Sequence, residues 1–229
     1  MNDVIVAIDG PSGAGKSTLA KRLAKELGFT YLDTGAMYRA LALKVLRQGI
    51  DLGDERRLAA LVCDTDIGLQ ESDGRLKVML DGVDVADLIR TPEVSQMASK
   101  VSAQKIVRQR LLELQRAAAE KGDIVAEGRD IGTVIFPDAE FKIYLDASIE
   151  ERARRRYEEL RAGGRRVSLE ATVRELKERD QRDSERDLAP LCKAADAVAI
   201  DSSGLAANAV AERVIELIRS ELNKDSQTK

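Results

Sequence analysis

Histidine is absent from the 229-residue chain, which removes every Ser-His, Cys-His and His-metal mechanism from consideration. Cysteine is scarce. Cys63 and Cys192 stand far apart and form no C-x-x-C pair, which argues against a zinc site or a disulfide framework; reduced thiols in a cytoplasmic setting are expected. No apolar run approaches the ~18 residues of a membrane span, and no basic flank followed by a long apolar stretch opens the chain, so neither spanning nor secretion is expected. An excess of charge of one sign is missing too, since 37 Lys and Arg stand against 40 Asp and Glu for a net charge of −3. The molecule as a whole therefore offers no electrostatic reason to bind nucleic acid or bilayers, although a local basic cleft stays open. What is present is apolar material for a core, with 44% hydrophobic and 34% charged residues. That balance argues against long disorder, and the length suits one domain with elaborations or one domain with a small insert.

Residues 4–8, Val-Ile-Val-Ala-Ile, have the look of a buried parallel strand. A glycine-rich turn follows, and from Lys16 the pattern becomes helical, with Leu19, Leu23 and Leu27 on one face and Gly28 as the stop. Further strands are expected at 30–33, 124–127, 141–146 and 197–201, most of them ending in an acid. Strands alternating with helices point to an α/β parallel sheet with ligands at the strand carboxyl ends. Two regions interrupt the rhythm. Residues 67–70 and 76–80 flank Glu71-Ser72-Asp73-Gly74, a hairpin signal, and a second turn at Asp81-Gly82 leads to Val83-Asp84-Val85. This small antiparallel insert has strands too short to stand alone and must pack on the main body. Thr91 as N-cap and Pro92 in the first helical position then open a helix.

The second interruption spans 151–187. Ser148-Ile149-Glu150-Glu151 reads as a capping box, the helix it starts carries Arg152, Arg154, Arg155 and Arg156, Gly163-Gly164 breaks that helix, and another begins near Ser168. Twelve basic residues, eleven of them Arg, face ten acids in this stretch. Such a balance ordinarily marks a solvated, salt-bridged helix pair, but the preference for Arg suits bidentate binding of phosphate oxygens. Four arginines in five positions cannot all face one way, so two or three at most reach a common site. Residues 223–229 read as a polar tail that frays.

Gly10-Pro11-Ser12-Gly13-Ala14-Gly15-Lys16-Ser17 matches G-x-x-x-x-G-K-[ST] in full, between the first strand and the first helix. Glycines let backbone N–H groups curl around phosphates, and the helix N-terminus adds partial positive charge. Lys16 is expected on the β- and γ-phosphates and the Ser17 hydroxyl on Mg²⁺. The chain thus reads as a binder of nucleoside triphosphate. No N-K-x-D element for guanine follows a late strand, and no strand ends in the Asp-Glu of motor ATPases. Arginines scattered over several strand ends suit an enzyme that holds two phosphorylated molecules while a phosphoryl group passes between them. Two alternatives remain at this point: a kinase acting on a hydroxyl, for which Asp33 could be the base, and a regulatory nucleotide switch.

The loop together with Leu32-Asp33-Thr34-Gly35-Ala36-Met37-Tyr38-Arg39, Glu127-Gly128-Arg129-Asp130-Ile131-Gly132-Thr133-Val134 and Lys177-Glu178-Arg179-Asp180-Gln181-Arg182-Asp183 resembles the bacterial cytidylate kinases, over residues 3 to about 220. The resemblance implies a P-loop NTPase-type parallel sheet core flanked by helices, built from 1–62 and 101–229. A β-rich NMP-binding insert at 63–100 and a short helical lid at about 152–167 complete it. It further implies transfer of the ATP γ-phosphoryl group to CMP or dCMP with Mg²⁺. From the residues themselves, a cytoplasmic setting and no nucleic-acid or membrane partner are expected, and, with no strong self-association stripe evident, a monomer. ATP falls to Gly10 through Thr18. Ser99, Arg108 and Asp130 align with the residues that hold cytosine, and Thr34, Tyr38, Arg39, Arg129, Arg179, Asp183 and Arg186 with those that hold sugar and acceptor phosphate. Thr34 stands where serine is common in the family, and either hydroxyl can serve. Catalysis is assigned to Lys16, Arg129, Arg155 and Asp33, the last orienting a Mg²⁺-bound water or Arg39.

The residue chemistry runs the same way. Cytosine offers an amino donor and the N3 and O2 acceptors, which an Asp and an Arg can read by opposite polarity. Arg129 and Asp130, adjacent after a strand, can face phosphate and base separately or simply pair with each other. Asp183 can accept from a ribose hydroxyl or sit on the surface.

Overall fold

In a computed structural model that describes residues 3–72, 75–120 and 122–227, the β-branched run near the N-terminus becomes β1 (Ile5–Asp9). Alternation along it splits the protein in two: Ala7 points into one apolar layer, Val6 and Ile8 into the other. Helix α1 (Lys16–Leu27) buries Leu19, Ala20, Leu23 and Ala24, and Gly28 ends it in the left-handed conformation with its N–H on the Ala24 carbonyl. β2 (Thr30–Asp33) runs into α2 (Thr34–Gln48), where the Asp33 carboxylate accepts the Ala36 N–H at 2.7 Å as N-cap. α3 (Glu55–Cys63) precedes the insert.

The insert is an antiparallel sheet of β3 (Ile67–Ser72), β4 (Arg75–Leu80) and β5 (Val83–Asp84); the expected Asp73-Gly74 turn lies outside the described residues. It has no core of its own. Ile67, Val78, Leu80 and Val85 join the same apolar cluster as Ala36, Met37 and Leu41 of α2, and the Lys44 ammonium of α2 reaches the Asp81 carboxylate at 2.8 Å. Thr91 caps α4 (Pro92–Val101) by accepting the Val94 N–H at 3.1 Å, and α5 (Lys105–Ala119) leads back to the main sheet.

β6 (Ile124–Gly128), β7 (Phe141–Asp146) and β8 (Val198–Asp201) complete a five-stranded parallel sheet in the order β2-β6-β1-β7-β8. The segment Ile131–Ile135, apolar enough to pass for a strand, is instead a π-helical turn. Asp9 holds it there by accepting the Ile131 and Gly132 N–H groups, each at 2.8 Å. Helices α6 (Ile149–Ala162) and α7 (Leu169–Glu185) form the arginine-rich pair, and α8 (Ala207–Gln227) packs beside α1 on one sheet face. The expected polar tail is helical as far as Gln227, the last turns of α8. One sequence expectation needs correction. The capping box forms by half: Ser148 Oγ accepts the Glu151 N–H at 3.3 Å, but the Glu151 carboxylate turns to Arg154 and Arg155, and the Ser148 N–H goes to Ser203 Oγ. Two guanidiniums outcompete one backbone amide.

Candidate active site

Parallel strands put their carboxyl ends on one edge, and there a cleft of about 570 Å³ opens between the first turn of α1, α2, α4, the β6 end and α7. Its floor is the loop 10–17. Gly10 has φ of +146°, and a Cβ on it would fall 1.9 Å from the Leu145 carbonyl oxygen, so the chain can pass β7 there only without a side chain. Ser12, Gly13, Gly15, Lys16, Ser17 and Thr18 line the cleft; Gly10, Pro11 and Ala14 do not, and support the loop from behind. Lys16 is buried, and its ammonium donates to the Pro11 carbonyl at 2.7 Å. Burial first, then the Arg129 and Arg179 charges, pull its pKa well below the usual lysine value, with Glu127 opposing.

Two carboxylates lie side by side across β2 and β6, Asp33 in register with Glu127. Asp33 caps α2 and also receives Arg39 Nη2 on both oxygens at 3.2 Å. Of the two tasks foreseen for it, holding Arg39 is the one the geometry displays. Glu127, which sequence reasoning left unassigned, is the freer acid. It is buried, accepts the Tyr31 hydroxyl and lies within hydrogen-bonding reach of Ser17. Burial and then the Asp33 charge raise its pKa, while Lys16, Ser17 and Tyr31 pull the other way. Its signal in the sequence was a lone acid inside an otherwise apolar strand.

At the far end of the cleft stand Asp130 and Asp183. Neither takes the partner that adjacency of Arg129 and Asp130 would suggest: Arg129 goes to Asp183, and Asp130 to Arg108 and Arg186. Asp183, on α7, accepts Arg129 Nε at 3.0 Å and Ser99 Oγ at 3.0 Å, with Arg179 Nε at 3.7 Å. It is buried rather than a surface group. Burial alone would raise its pKa, but Arg129 and Arg179 hold it below the ordinary carboxylate value. Asp130 takes Arg108 on one oxygen and Arg186 Nη2 on the other at 3.3 Å. Arg108 stacks over the Tyr38 ring at 5.9 Å and does not line the cleft; it backs Asp130. Thr34 donates its hydroxyl to the Glu127 carbonyl at 2.7 Å. Between the two ends lie Arg39, Arg129 and Arg179. The Nε atoms of Arg39 and Arg179 are buried without a hydrogen-bond partner, and burial followed by the Arg129 charge pushes the Arg179 pKa down to about 9. Cations crowded together with donors to spare form an anion site.

The four arginines of α6 divide as their spacing requires. Arg154 points outward to Glu151 and Glu158. Arg152 is buried behind the loop, on the Ser12 carbonyl at 3.1 Å and the Asp180 carboxylate at 2.6 Å. Arg155 and Arg156 line the cleft. Arg155 also donates to the Ser202 carbonyl at 2.7 Å and borders a smaller cavity of about 200 Å³ with Gly15, Thr18 and Leu205.

A family model described as cytidylate kinase matches residues 6–220. A cytidylate kinase of Geobacter sulfurreducens is 51% identical over 216 residues, 94% of this chain and 93% of that protein. One of Pelotomaculum thermopropionicum is 54% identical over 211 residues, 92% and 93% of the two chains. Among solved structures, an uncharacterized protein from Eubacterium ventriosum superposes with a TM-score of 0.50 at 14% identity, covering 95% of this chain and 99% of that one, a likeness of fold alone.

Proposed function

The chain belongs to the cytidylate kinase family, and from that premise we propose that it transfers the γ-phosphoryl group of ATP to CMP or dCMP, releasing ADP and CDP or dCDP. One observation carries the reading to the residues: the phosphate loop and the Asp130–Asp183 corner open into the same cleft, with Lys16, Arg129 and Arg179 between them. ATP lies with its phosphates on 10–18 and its base in the smaller cavity beside Arg155 and Thr18. CMP lies with cytosine toward Ser99 and Asp130, its ribose toward Asp183, and its phosphate among Arg39, Arg129 and Arg179.

The attacking group is a phosphate oxygen of CMP. A phosphomonoester has a second pKa near ~6 and is mostly dianionic at neutral pH, so no strong base is required. The absence of histidine and the pairing of Asp33 with Arg39 are then no obstacle, and a hydroxyl acceptor, which does need a base, fits less well. The chain's own work is alignment and charge neutralisation. Lys16 exchanges the Pro11 carbonyl for a phosphate oxygen, Arg129 and Arg179 share the acceptor phosphate, and Arg155 and Arg156 screen the charge that moves during transfer. Lid closure at about 152–167 over the insert-bearing body at 63–100 brings them together.

Among the described residues no three acids or thiols gather to hold a metal unaided. The Ser17 hydroxyl and the buried Glu127 carboxylate, within hydrogen-bonding reach of each other, would hold a Mg²⁺ ion. Such an ion would supply neutralisation of phosphate charge. We further place the protein in the cytoplasm as a monomer without nucleic-acid partners. Both cysteines are free and exposed, and no helix of the described residues is long and apolar enough to cross a membrane. Steady-state turnover of ATP against CMP, dCMP, UMP, AMP and free nucleosides tests the reading. CMP or dCMP is expected to lead; turnover of nucleosides without CMP overturns it.

A further inference from the structure

Resting on that reading of Asp130 as the acceptor-base residue, the geometry points to Ser102 as the residue that sets acceptor specificity by holding Arg186 against Asp130. Ser102 is buried and is the C-cap of α4, with its N–H on the Ala98 carbonyl. Its hydroxyl proton is spent on the Ser99 carbonyl at 2.8 Å. That donation leaves the oxygen lone pairs facing outward, and one of them receives Arg186 Nη1 at 3.2 Å. The Ser102 carbonyl meanwhile accepts Arg108 Nη1 at 3.2 Å. One residue thus restrains both guanidiniums that clamp Asp130, each by a different oxygen.

The two restraints can be separated. Arg108 is held by backbone and survives any side-chain change at 102. Arg186 has the hydroxyl, the Ala189 carbonyl on Nε at 2.7 Å, and the comparatively long 3.3 Å contact to Asp130. Removing the hydroxyl leaves Arg186 anchored by Nε alone at its far side, free to pivot about that bond and swing Nη2 off Asp130. Asp130 then loses the partner that fixes one oxygen, and with it the fixed direction in which it can accept from an amino group. An amino group at the pyrimidine 4-position distinguishes CMP from UMP, which has a carbonyl oxygen there. The result is poorer discrimination and not merely poorer binding. The ATP end of the cleft has no contact with Ser102 and keeps its affinity.

The test is Ser102→Ala, alone and combined with Arg186→Ala, measured with CMP and UMP at saturating ATP and with ATP at saturating CMP. A hydrogen bond to a charged group sets the scale, and one restraint of three on Arg186 is removed. Ser102→Ala is expected to raise KM for CMP about fivefold and to lower the CMP-to-UMP ratio of kcat/KM by a similar factor. KM for ATP is expected to stay within about twofold, and Ser102→Ala is expected to have no further effect once Arg186 is alanine. An unchanged KM for CMP, equal losses for CMP and ATP, or effects that add in the double variant would each overturn the inference. So would failure of Ser102→Ala to fold at permissive temperature, which would assign the hydroxyl to the end of α4. Failure of the functional reading is visible separately, as a wild-type protein that does not phosphorylate CMP.

Discussion

Asp183 is the counter-charge around which the acceptor end is built, and replacing it with asparagine exposes the energetics of the cleft. It is 3% exposed and faces Arg129 at 3.0 Å and Arg179 at 3.7 Å. Asn preserves the volume and the contact with Ser99 but leaves two largely buried guanidiniums without their anion. Removing one partner from a buried ion pair costs about 3 kcal/mol at the lower end of measured cases. At roughly 2–4 °C per kcal/mol for a chain of this size, the melting temperature should fall by about 6–12 °C. Phosphate supplies the missing charge from outside, so inorganic phosphate should raise the melting temperature of Asp183→Asn more than that of the wild type. The pH dependence has a definite sign. The folded-state pKa of Asp183 is depressed, so its contribution is complete above the unfolded-state value of about 4 and disappears as pH falls through the lower folded value. The gap between variant and wild type should therefore be full at neutral pH and close in acid. Thermal melts across pH 3–8, with and without phosphate, measure this. A variant melting within about 2 °C of wild type at neutral pH, or a gap that widens in acid, would refute the reasoning.

Lys16→Ala should lower kcat by about a hundredfold or more while the protein melts no lower than wild type. Lys16 is desolvated and repelled by Arg129 and Arg179, so its removal relieves strain; circular dichroism showing global unfolding would contradict this. Asp130→Ala should raise KM for CMP at least tenfold with little change for ATP, and equal losses would remove Asp130 from the base site. Glu127→Gln keeps an acceptor for the Tyr31 hydroxyl but loses its charge beside Ser17. It should raise the Mg²⁺ concentration needed for half-maximal rate about tenfold without lowering stability, and an unchanged Mg²⁺ requirement would return Glu127 to a purely structural role.

Much of the architecture was legible because it follows from local rules. Hydrophobic runs with β-branched residues located all five parallel strands to within about a residue, and Gly28, Thr91-Pro92 and Ser168 marked helix ends through left-handed φ or side-chain capping. The phosphate loop was legible because its full motif falls between a strand and a helix; the structure adds that Gly10 passes β7 where no side chain fits. For α6 the helical period indicated only that two or three of its four arginines could share one side; that Arg155 and Arg156 line the cleft while Arg154 turns outward was decided by the tertiary structure.

What the chain could not announce was pairing at a distance. Sequence alone determined which ionisable groups exist and which strand end or helix each occupies, since these depend on neighbours a few residues away. Only the tertiary structure decided that Asp130 answers to Arg108 and Arg186 and not to adjacent Arg129, and that Arg129 crosses to Asp183 instead. It likewise decided that the apolar segment 131–135 coils into a π turn because Asp9, on another strand, offers two lone pairs to its amides. The physical reason is the same in each case. A buried charge must find its partner in three dimensions, and the partner is chosen by which elements the sheet order brings together, a quantity no local pattern contains.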